Sequence, residues 1–345
     1  MNFLNKLFLF IITVLMALLV VCGFYAYRAL FHPNIVLQGK TSSYLYIPTG
    51  SDFDRVVQIL NQRHILKNET TFSLVAKWKH YPEKVKPGKY RIHRNMNNDE
   101  LVNLLRSGRQ EPVRIAFNNV RTRQDLAGKI ARQIEADSVS IMQLLNDHQY
   151  LSQFGTSPQE ALTLFIPDTY EFFWNTSADQ FIQRMAEEQK KFWTVARKER
   201  MTRAGLDITS VVTLASIVEK ETVKDREKPL IAGVYMNRLK KGWPLQADPT
   251  LIFAWNDYSI KRVMKKHMEI NSPYNTYQHT GLPPGPICLP SVASIDAVLN
   301  FAQNDYMYFC AREDFSGYHN FAATLAEHSR NAARYQAALK KLNIN

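Results

Sequence analysis

The chain has 345 residues, 46% hydrophobic and 21% charged, which excludes a mostly disordered chain and suits two domains with an appendage. Its 43 Lys and Arg against 31 Asp and Glu give a formal net charge of +12, which favours an anionic partner such as nucleic acid, anionic lipid or a carboxylate-bearing polymer. The three cysteines have neither CxxC nor zinc-finger spacing, so the chain is not a disulfide scaffold.

An uncharged apolar run extends from residue 7 to residue 27. As a helix, a run of that length spans roughly 30 Å, the hydrocarbon thickness of a bilayer. A cleaved signal peptide would have a shorter apolar region with small residues at the cut, and a lipoprotein cysteine would follow a small residue, whereas Val21 precedes Cys22. We therefore expect an uncleaved single-pass anchor in the plasma (inner) membrane, with the bulk of the chain on its outer face. This placement removes nucleic acid from the expected partners.

A short strand, a polar turn and a helix follow one another three times in the next part of the chain. The copies begin near residues 44, 89 and 113, where period-two alternation of apolar residues changes to helical spacing. Ser51 and Thr122 are the expected N-caps of the first and third helices. The pattern predicts small α+β units, which bind extended ligands or act as spacers.

The most informative segment is a predicted helix over 208–222, ITSVVTLASIVEKET. On a helix of 3.6 residues per turn, Glu221 shares an apolar stripe with Leu214 and Val218. Such a carboxyl group pairs with a cation, ends the helix in solvent, or stays half-buried with a raised pKa. The half-buried case gives the proton donor that glycosidic bond cleavage requires. Periodicity favours Glu221 over the rival acid Glu219 without excluding it, and Glu-Lys-Glu at a helix end is also a common solvated pattern.

Three loops downstream combine rigid prolines with amides, hydroxyls and aromatic rings, at 244–250, 272–277 and 281–286. This composition is typical of a carbohydrate groove, although Pro and Gly also simply punctuate turns. The sequence has no G-x-S-x-G elbow, P-loop, G-x-G-x-x-G or H-E-x-x-H motif. We therefore expect neither a metal nor a cofactor.

Seven ordered motifs together resemble the endolytic murein transglycosylases of the MltG, or YceG-like, type. The motifs are FIPDTYEF (165–172), LASIVEKET (214–222), NRL (237–239), LQADPT (245–250), SPYNTY (272–277), GLPPGPI (281–287) and HNF (319–321). The resemblance implies an α+β fold with a single N-terminal transmembrane helix, a LysM-like α+β subdomain and a mixed α+β catalytic domain.

The expected domain boundaries follow from the anchor, the strand–helix copies and this resemblance. We assign 1–28 to a cytoplasmic tail and transmembrane anchor, 29–43 to a tether, 44–110 to the LysM-like subdomain and 111–345 to the catalytic domain.

The resemblance also implies the activity. It is cleavage, without water, of the β-1,4 bond between N-acetylmuramic acid (MurNAc) and N-acetylglucosamine (GlcNAc) in nascent peptidoglycan strands. The products carry 1,6-anhydroMurNAc ends, so cleavage terminates strand elongation. The resemblance assigns Glu221 as the catalytic acid and names cell-wall synthases as protein partners. It further implies a set of substrate-binding residues in the groove: Gln246, Asp248, Tyr274, Asn275 and Tyr277.

Two other hypotheses stay open at this point. The first is a hydrolytic muramidase with Asp248 or Glu219 as a second carboxylate, which would leave reducing ends. The second is a non-catalytic, membrane-anchored scaffold that binds peptidoglycan through the LysM-like part.

Overall fold

The computed structural model describes residues 3–342. The chain forms two compact units with a mixed α+β architecture. The first unit extends to Arg114 and includes two short later segments, Gln133–Glu135 and Glu171–Thr176. The second unit comprises Ile115–Arg132, Ala136–Tyr170 and the chain from Ser177 onward.

The elements of the first unit, up to the strand that leads into the second, follow in chain order. They are α1 (Phe3–Phe31), β1 (Ser42–Ile47), α2 (Phe53–Gln62), α3 (Glu69–Trp78), a 3-10 turn (Pro82–Lys84), β2 (Gly88–His93), α4 (Asn98–Ser107) and β3 (Val113–Ala116).

The remaining elements lie mainly in the second unit. They are α5 (Arg123–Ala131), α6 (Ser138–Asn146), α7 (His148–Ser152), a 3-10 turn (Ala161–Leu164), β4 (Thr169–Phe172), α8 (Ala178–Phe192), α9 (Val195–Ala204), α10 (Ile208–Glu221), α11 (Lys228–Lys240), α12 (Asp248–Trp255), a 3-10 turn (Lys265–Glu269), α13 (Val292–Leu299), β5 (Tyr308–Ala311), β6 (His319–Ala322) and α14 (Leu325–Lys341).

The long helix α1 contains the whole predicted apolar run. It is the one unbroken helix among residues 3–342 that is long and apolar enough to cross a membrane, with a mean hydropathy of 3.0 in its most apolar window. None of that window is buried against the rest of the chain. An apolar helix without protein cover is the form that a lipid-facing segment takes.

The predicted tether over 29–43 is wrong. Helix α1 runs on to Phe31, and the residues after it belong to the core of the first unit, where Ile35 is fully buried. The side-chain amide of Asn98 on α4 donates to the carbonyl of Ala29 in the last turn of α1, at 2.8 Å. Burying the apolar side chains of this segment lowers the free energy of the folded chain more than leaving them in a solvated linker would. Helix α1 therefore leads into the first unit without a linker.

The first unit is built on an antiparallel pair of strands. β1 and β2 pair with Ser42 opposite His93 and Ile47 opposite Gly88. Helix α3 lies between the first two predicted strand–helix copies and was not predicted. The three copies themselves are confirmed as β1–α2, β2–α4 and β3–α5. Residues from β1, β2, α2, α3 and α4 form one core, which includes Leu45, Ile47, Val56, Leu60, Phe72, Tyr90, Ile92 and Leu101.

The predicted caps of two helices have different outcomes. Thr122 is the N-cap of α5, as expected, and forms a capping box with Asp125. Helix α2 is capped by Asp52, whose carboxylate accepts from the backbone N–H of Arg55, so the prediction of Ser51 is wrong by one residue. A side-chain oxygen at either position could satisfy the first free N–H groups of the helix.

The second unit is organised around α10. Every residue from Val211 to Val218 is buried, so this part of α10 is enclosed on all sides and forms the middle of the core. Helices α11, α12 and α13 pack against it. β5 and β6 form an antiparallel hairpin, with Tyr308 opposite Ala322.

Candidate active site

Glu221 is the last residue of the buried helix α10. Its side chain is partly exposed, and its carboxylate oxygen Oε1 accepts a hydrogen bond from the hydroxyl of Tyr235 at 2.6 Å. Tyr235 lies on α11 and is only 1% exposed. The packing of α10 against α11 therefore fixes a phenol donor on the carboxyl group.

Burial, together with the smaller effect of the negative charge of Asp248, raises the pKa of Glu221 to about 7. The hydrogen bond from Tyr235 and the positive charge of Arg238 act in the opposite direction and are outweighed. This is the half-buried case among the three that the sequence left open. A carboxyl group with a pKa near neutrality is populated both as an acid and as a base at physiological pH.

Glu219, the rival acid, has a different environment. Its Oε2 atom accepts from the Ser291 hydroxyl at 2.6 Å and from the Ser294 hydroxyl, and lies 3.3 Å from the ammonium group of Lys228. Burial alone would raise the pKa of Glu219, but these hydrogen bonds and the Lys228 charge together lower it. Glu219 is therefore an ionised structural group that ties α10 to α13, and it is a poor proton donor.

Asp248 and Tyr277 form a second polar pair at the site. Tyr277 donates its hydroxyl to Asp248 Oδ1 at 2.5 Å, and Asp248 is solvent-exposed at the start of α12. Burial, followed by the hydrogen bond to Asp248, raises the pKa of Tyr277 above its usual range. The charge of Glu221 also raises the pKa of Tyr277. Glu221, Asp248 and Tyr277 are thus electrostatically coupled.

Gln246 is exposed and has an unusual backbone conformation. Its φ of 50° lies in the left-handed region that residues other than glycine rarely adopt. The backbone N–H of Gln246 donates to the carbonyl of Thr276 at 2.9 Å, and that of Ala247 donates to the Thr276 hydroxyl at 3.0 Å. Thr276 therefore fastens the 244–250 loop to the 272–277 loop and leaves the Gln246 side chain in solvent.

Tyr274 and Asn275 have a different placement from the other predicted groove residues. Asn275 is fully buried, and its amide donates to the backbone carbonyls of Met268 and Ile270, both at 2.9 Å. The half-buried ring of Tyr274 packs on Phe253, with centroids 4.8 Å apart. The structure therefore corrects the expectation for Asn275, because its polar atoms are used inside the loop. Both residues shape the loop that presents Tyr277.

The GLPPGPI motif packs directly against α10. The backbone N–H of Ile287 donates to the hydroxyl of the buried Ser216 at 2.9 Å. A Cβ atom on Gly285 would lie 2.3 Å from the carbonyl oxygen of Gln159, so the close backbone approach requires glycine there. This motif therefore supports the helix that carries Glu221.

Sequence reasoning missed Tyr235 and Arg238 as site residues. Arg238 is 7% exposed, and its guanidinium donates to the backbone carbonyls of Met307 and Leu245. It thereby joins α11 to β5 and to the 244–250 loop and brings a buried positive charge to the site. Both residues place a polar group among the buried apolar residues of α11. A buried polar group of this kind is the signal by which the sequence could have indicated them as site residues.

The arrangement offers one carboxyl group with a near-neutral pKa, one buried phenol donor and one exposed carboxylate. Among residues 3–342, no three His, Cys, Asp or Glu side chains come together as a metal site would require. The chemistry that the described residues themselves support is proton transfer to and from a ligand at Glu221.

Several known proteins are similar to this chain in sequence, and one solved structure is similar to it in fold. The sequence model of the YceG-like family matches residues 45–334. The endolytic murein transglycosylase of Bacillus subtilis is 29% identical over 334 residues, which cover 92% of this chain and 91% of that protein. Proteins of the same name from two strains of Streptococcus pneumoniae are 26% identical over 368 residues, and the match covers 96% of this chain but 65% of theirs. A crystal structure of a YceG-like protein from Listeria monocytogenes aligns with a TM-score of 0.57 at 26% identity, covering 84% of this chain and 98% of that one.

Proposed function

The chain belongs to the YceG-like family, and on that premise we propose that it is a lytic transglycosylase that cleaves the MurNAc-β-1,4-GlcNAc bond of peptidoglycan. The observation that carries the proposal is Glu221, a half-buried carboxyl group whose pKa burial raises to about 7. The neighbouring Glu219 is held ionised and is bound to other side chains. The relatives named endolytic murein transglycosylases support the same activity.

The proposed reaction uses one carboxyl group twice. Protonated Glu221 donates its proton to the glycosidic oxygen, and the bond between that oxygen and C1 of the muramic sugar breaks. The resulting carboxylate takes the proton from the C6 hydroxyl of the same sugar as the C6 oxygen bonds to C1. The products are a free 4-hydroxyl on GlcNAc and a 1,6-anhydroMurNAc end, and Glu221 is again protonated. Acid–base assistance of this kind contributes roughly 10²–10⁴-fold to a rate.

The nucleophile lies within the substrate, so this reaction needs no second catalytic carboxylate. Tyr235 donates to the Glu221 carboxylate and so stabilises it after the first proton transfer. We assign Gln246, Asp248 and Tyr277 to substrate contacts. We assign Tyr274 and Asn275 to shaping the loop that carries Tyr277.

A hydrolytic muramidase is the second candidate function, and one observation favours it. Asp248 is an exposed carboxylate whose charge acts on Glu221, and a base in that position could activate water as an inverting glycosidase does. Hydrolysis would leave reducing ends in place of anhydro ends.

We further propose that α1 is retained as a single-pass anchor in the plasma (inner) membrane, with the second unit on the outer, periplasmic face. The length and uninterrupted apolar character of α1 support this placement. We also keep the LysM-like character of the first unit as a proposal, supported by two helices enclosed between the paired strands β1 and β2. An enzyme held in this way would cut nascent strands close to the membrane, terminate their elongation, and meet cell-wall synthases as partners.

The test is an end-group analysis of purified glycan strands. The detergent-solubilised full chain and its Glu221→Gln variant are incubated with the strands, and the new ends are identified by mass spectrometry. Glu199→Gln, an exposed glutamate on α9, is the matched control. We expect anhydroMurNAc ends from the wild type and from Glu199→Gln, and none from Glu221→Gln.

The other outcomes separate the remaining hypotheses. Reducing ends that disappear in Asp248→Asn would identify a hydrolase and refute the transglycosylase. Binding of strands without cleavage by any of the three proteins would favour the non-catalytic scaffold.

A further inference from the structure

A small cavity of about 170 Å³ lies in the second unit on residues adjoining the candidate active site. Lys220 and Pro249 line it, and they are the sequence neighbours of Glu221 and Asp248. Whole small-molecule sites usually measure about 300–1,000 Å³. The volume therefore fits one substituent of a larger ligand that also occupies the site.

Two cations line the cavity without a carboxylate partner. Lys220 and Arg121 form no salt bridge within the described part of the chain. The Arg121 guanidinium lies over the ring of Tyr258, 4.5 Å from its centroid. Two acids are close: Asp125 accepts from the backbone N–H groups of Arg121 and Thr122 as part of the α5 cap, and Glu219 is bound to Lys228 and two serines. Both cations are therefore available to pair with a carboxylate on a ligand.

One of the lining residues carries a buried polar atom without a partner. The hydroxyl of Tyr258 is buried and has no hydrogen-bond partner in the described structure. A buried hydroxyl without a partner is unfavourable and rare in folded proteins. Ile252, Phe253 and Ile287 supply apolar surface around it. One phenol donor, two cations and an apolar lining match a carboxylate on a short aliphatic chain.

We infer that this cavity binds a carboxylate of the lactyl-peptide substituent on the muramic sugar next to the scissile bond. The inference rests on the proposed function, because the substituent reaches the cavity only if a muramic residue lies at Glu221. Arg121 and Lys220 pair with the carboxylate, Tyr258 donates its hydroxyl, and the apolar residues contact the aliphatic part. Strands with a free carboxylate on this substituent are then better substrates than strands in which it is amidated.

The test measures binding, so it does not depend on turnover. The detergent-solubilised full chain carrying Glu221→Gln is titrated calorimetrically with three probes. They are a GlcNAc–MurNAc disaccharide with a tripeptide bearing free carboxylates, the same compound with its carboxylates amidated, and the peptide-free disaccharide with its lactyl carboxyl group amidated, so that it carries no charge. We expect the free carboxylates to tighten binding about tenfold, the usual effect of one charge-assisted hydrogen bond.

The variants assign this gain to the cavity. Lys220→Gln and Arg121→Gln should each reduce the preference for the free carboxylate several-fold and leave binding of the two amidated probes unchanged. Tyr258→Phe should weaken only the carboxylate probe without lowering the melting temperature, because the lost hydroxyl has no partner in the free protein. Lys198→Gln, an exposed lysine on α9, is the control and should bind all three probes as the parent does.

Equal affinity for all three probes, or a preference that survives in Lys220→Gln and Arg121→Gln, would overturn the inference and leave the proposed function standing. If the preference depends on the cavity but the wild type makes no new glycan ends in the end-group analysis, the inference is supported and the proposed transglycosylase activity is refuted. If no probe binds at all, the inference is wrong, and the end-group analysis alone decides the proposed function.

Discussion

Replacing Glu221 by Gln should stabilise the protein at high pH while abolishing catalysis. Gln keeps the size of the side chain and an oxygen that accepts from Tyr235, but it carries no charge. In the wild type, burial raises the pKa of Glu221 from its ordinary 4.5 to about 7. Between these two values the folded protein binds more protons than the unfolded chain, so wild-type stability falls as pH rises through this window.

The size of the effect follows from the pKa. A tenfold difference in proton affinity is worth about 1.4 kcal/mol, so the Glu221 charge costs the folded state about 2–3 kcal/mol between pH 5 and pH 8. The variant avoids this cost. A change of 1 kcal/mol shifts the melting temperature of a unit of 150–250 residues by about 2–4 °C. The difference in melting temperature between Glu221→Gln and the wild type should therefore grow by about 5–10 °C from pH 5 to pH 8.

The assay is differential scanning calorimetry of both full-length proteins in one detergent at pH 5, 6, 7 and 8. Other titrating groups are common to the two proteins and cancel in the difference, and Glu199→Gln reports the effect of removing an exposed carboxylate. A difference between Glu221→Gln and wild type that stays constant from pH 5 to pH 8 would refute the claim that Glu221 is buried with a raised pKa.

Three further substitutions test the surroundings of this carboxyl group. Tyr235→Phe removes a hydrogen bond that favours ionised Glu221, so the alkaline limb of the kcat/KM profile should move up by about one pH unit; an unmoved limb would mean that the bond is absent in solution. Asp248→Asn removes a negative charge that disfavours ionisation, so the same limb should move down, and a shift upward would contradict the assigned coupling. Glu219→Gln deprives the buried Lys228 of one partner and should lower stability by about 1–3 kcal/mol in calorimetry. The alkaline limb of the kcat/KM profile of Glu219→Gln should stay at the wild-type pH, and a shifted limb would show that Glu219 titrates in the reaction.

Much of the fold follows from local pattern. The apolar run predicted α1, and the change from period-two to helical spacing predicted three strand–helix pairs. Both predictions were possible because these patterns depend only on neighbouring residues. The tether was predicted wrongly because the burial of this segment depends on contacts with residues far away along the chain. Ile35 and Leu37 are too few to form a periodic signal, and only the completed core of the first unit gives them a place to bury.

Sequence patterns predicted some residues of the candidate site and missed others. Helical periodicity placed Glu221 on the apolar stripe, because α10 is a regular helix. The 272–277 loop has no period, so nothing local distinguishes Tyr277, which donates to Asp248, from Asn275, which bonds backbone carbonyls inside the loop. Tyr235 is more than a dozen residues from Glu221 along the chain and meets it only through helix packing.

The environment of Glu221 answers a requirement that an inverting enzyme, which divides the acid and base roles between two carboxyl groups, does not have. One group must be protonated for the first step of the proposed reaction and ionised for the second, so a pKa far above or far below the working pH would impair one of the two steps. Burial and the charge of Asp248 favour the acid, while the Tyr235 hydroxyl and the Arg238 charge favour the base, and the pKa lies near 7. Tyr235 and Arg238 are both on α11, and Arg238 also bonds the loop that leads to Asp248. A single helix therefore supplies both groups that favour the ionised form and helps to position the charge that opposes it.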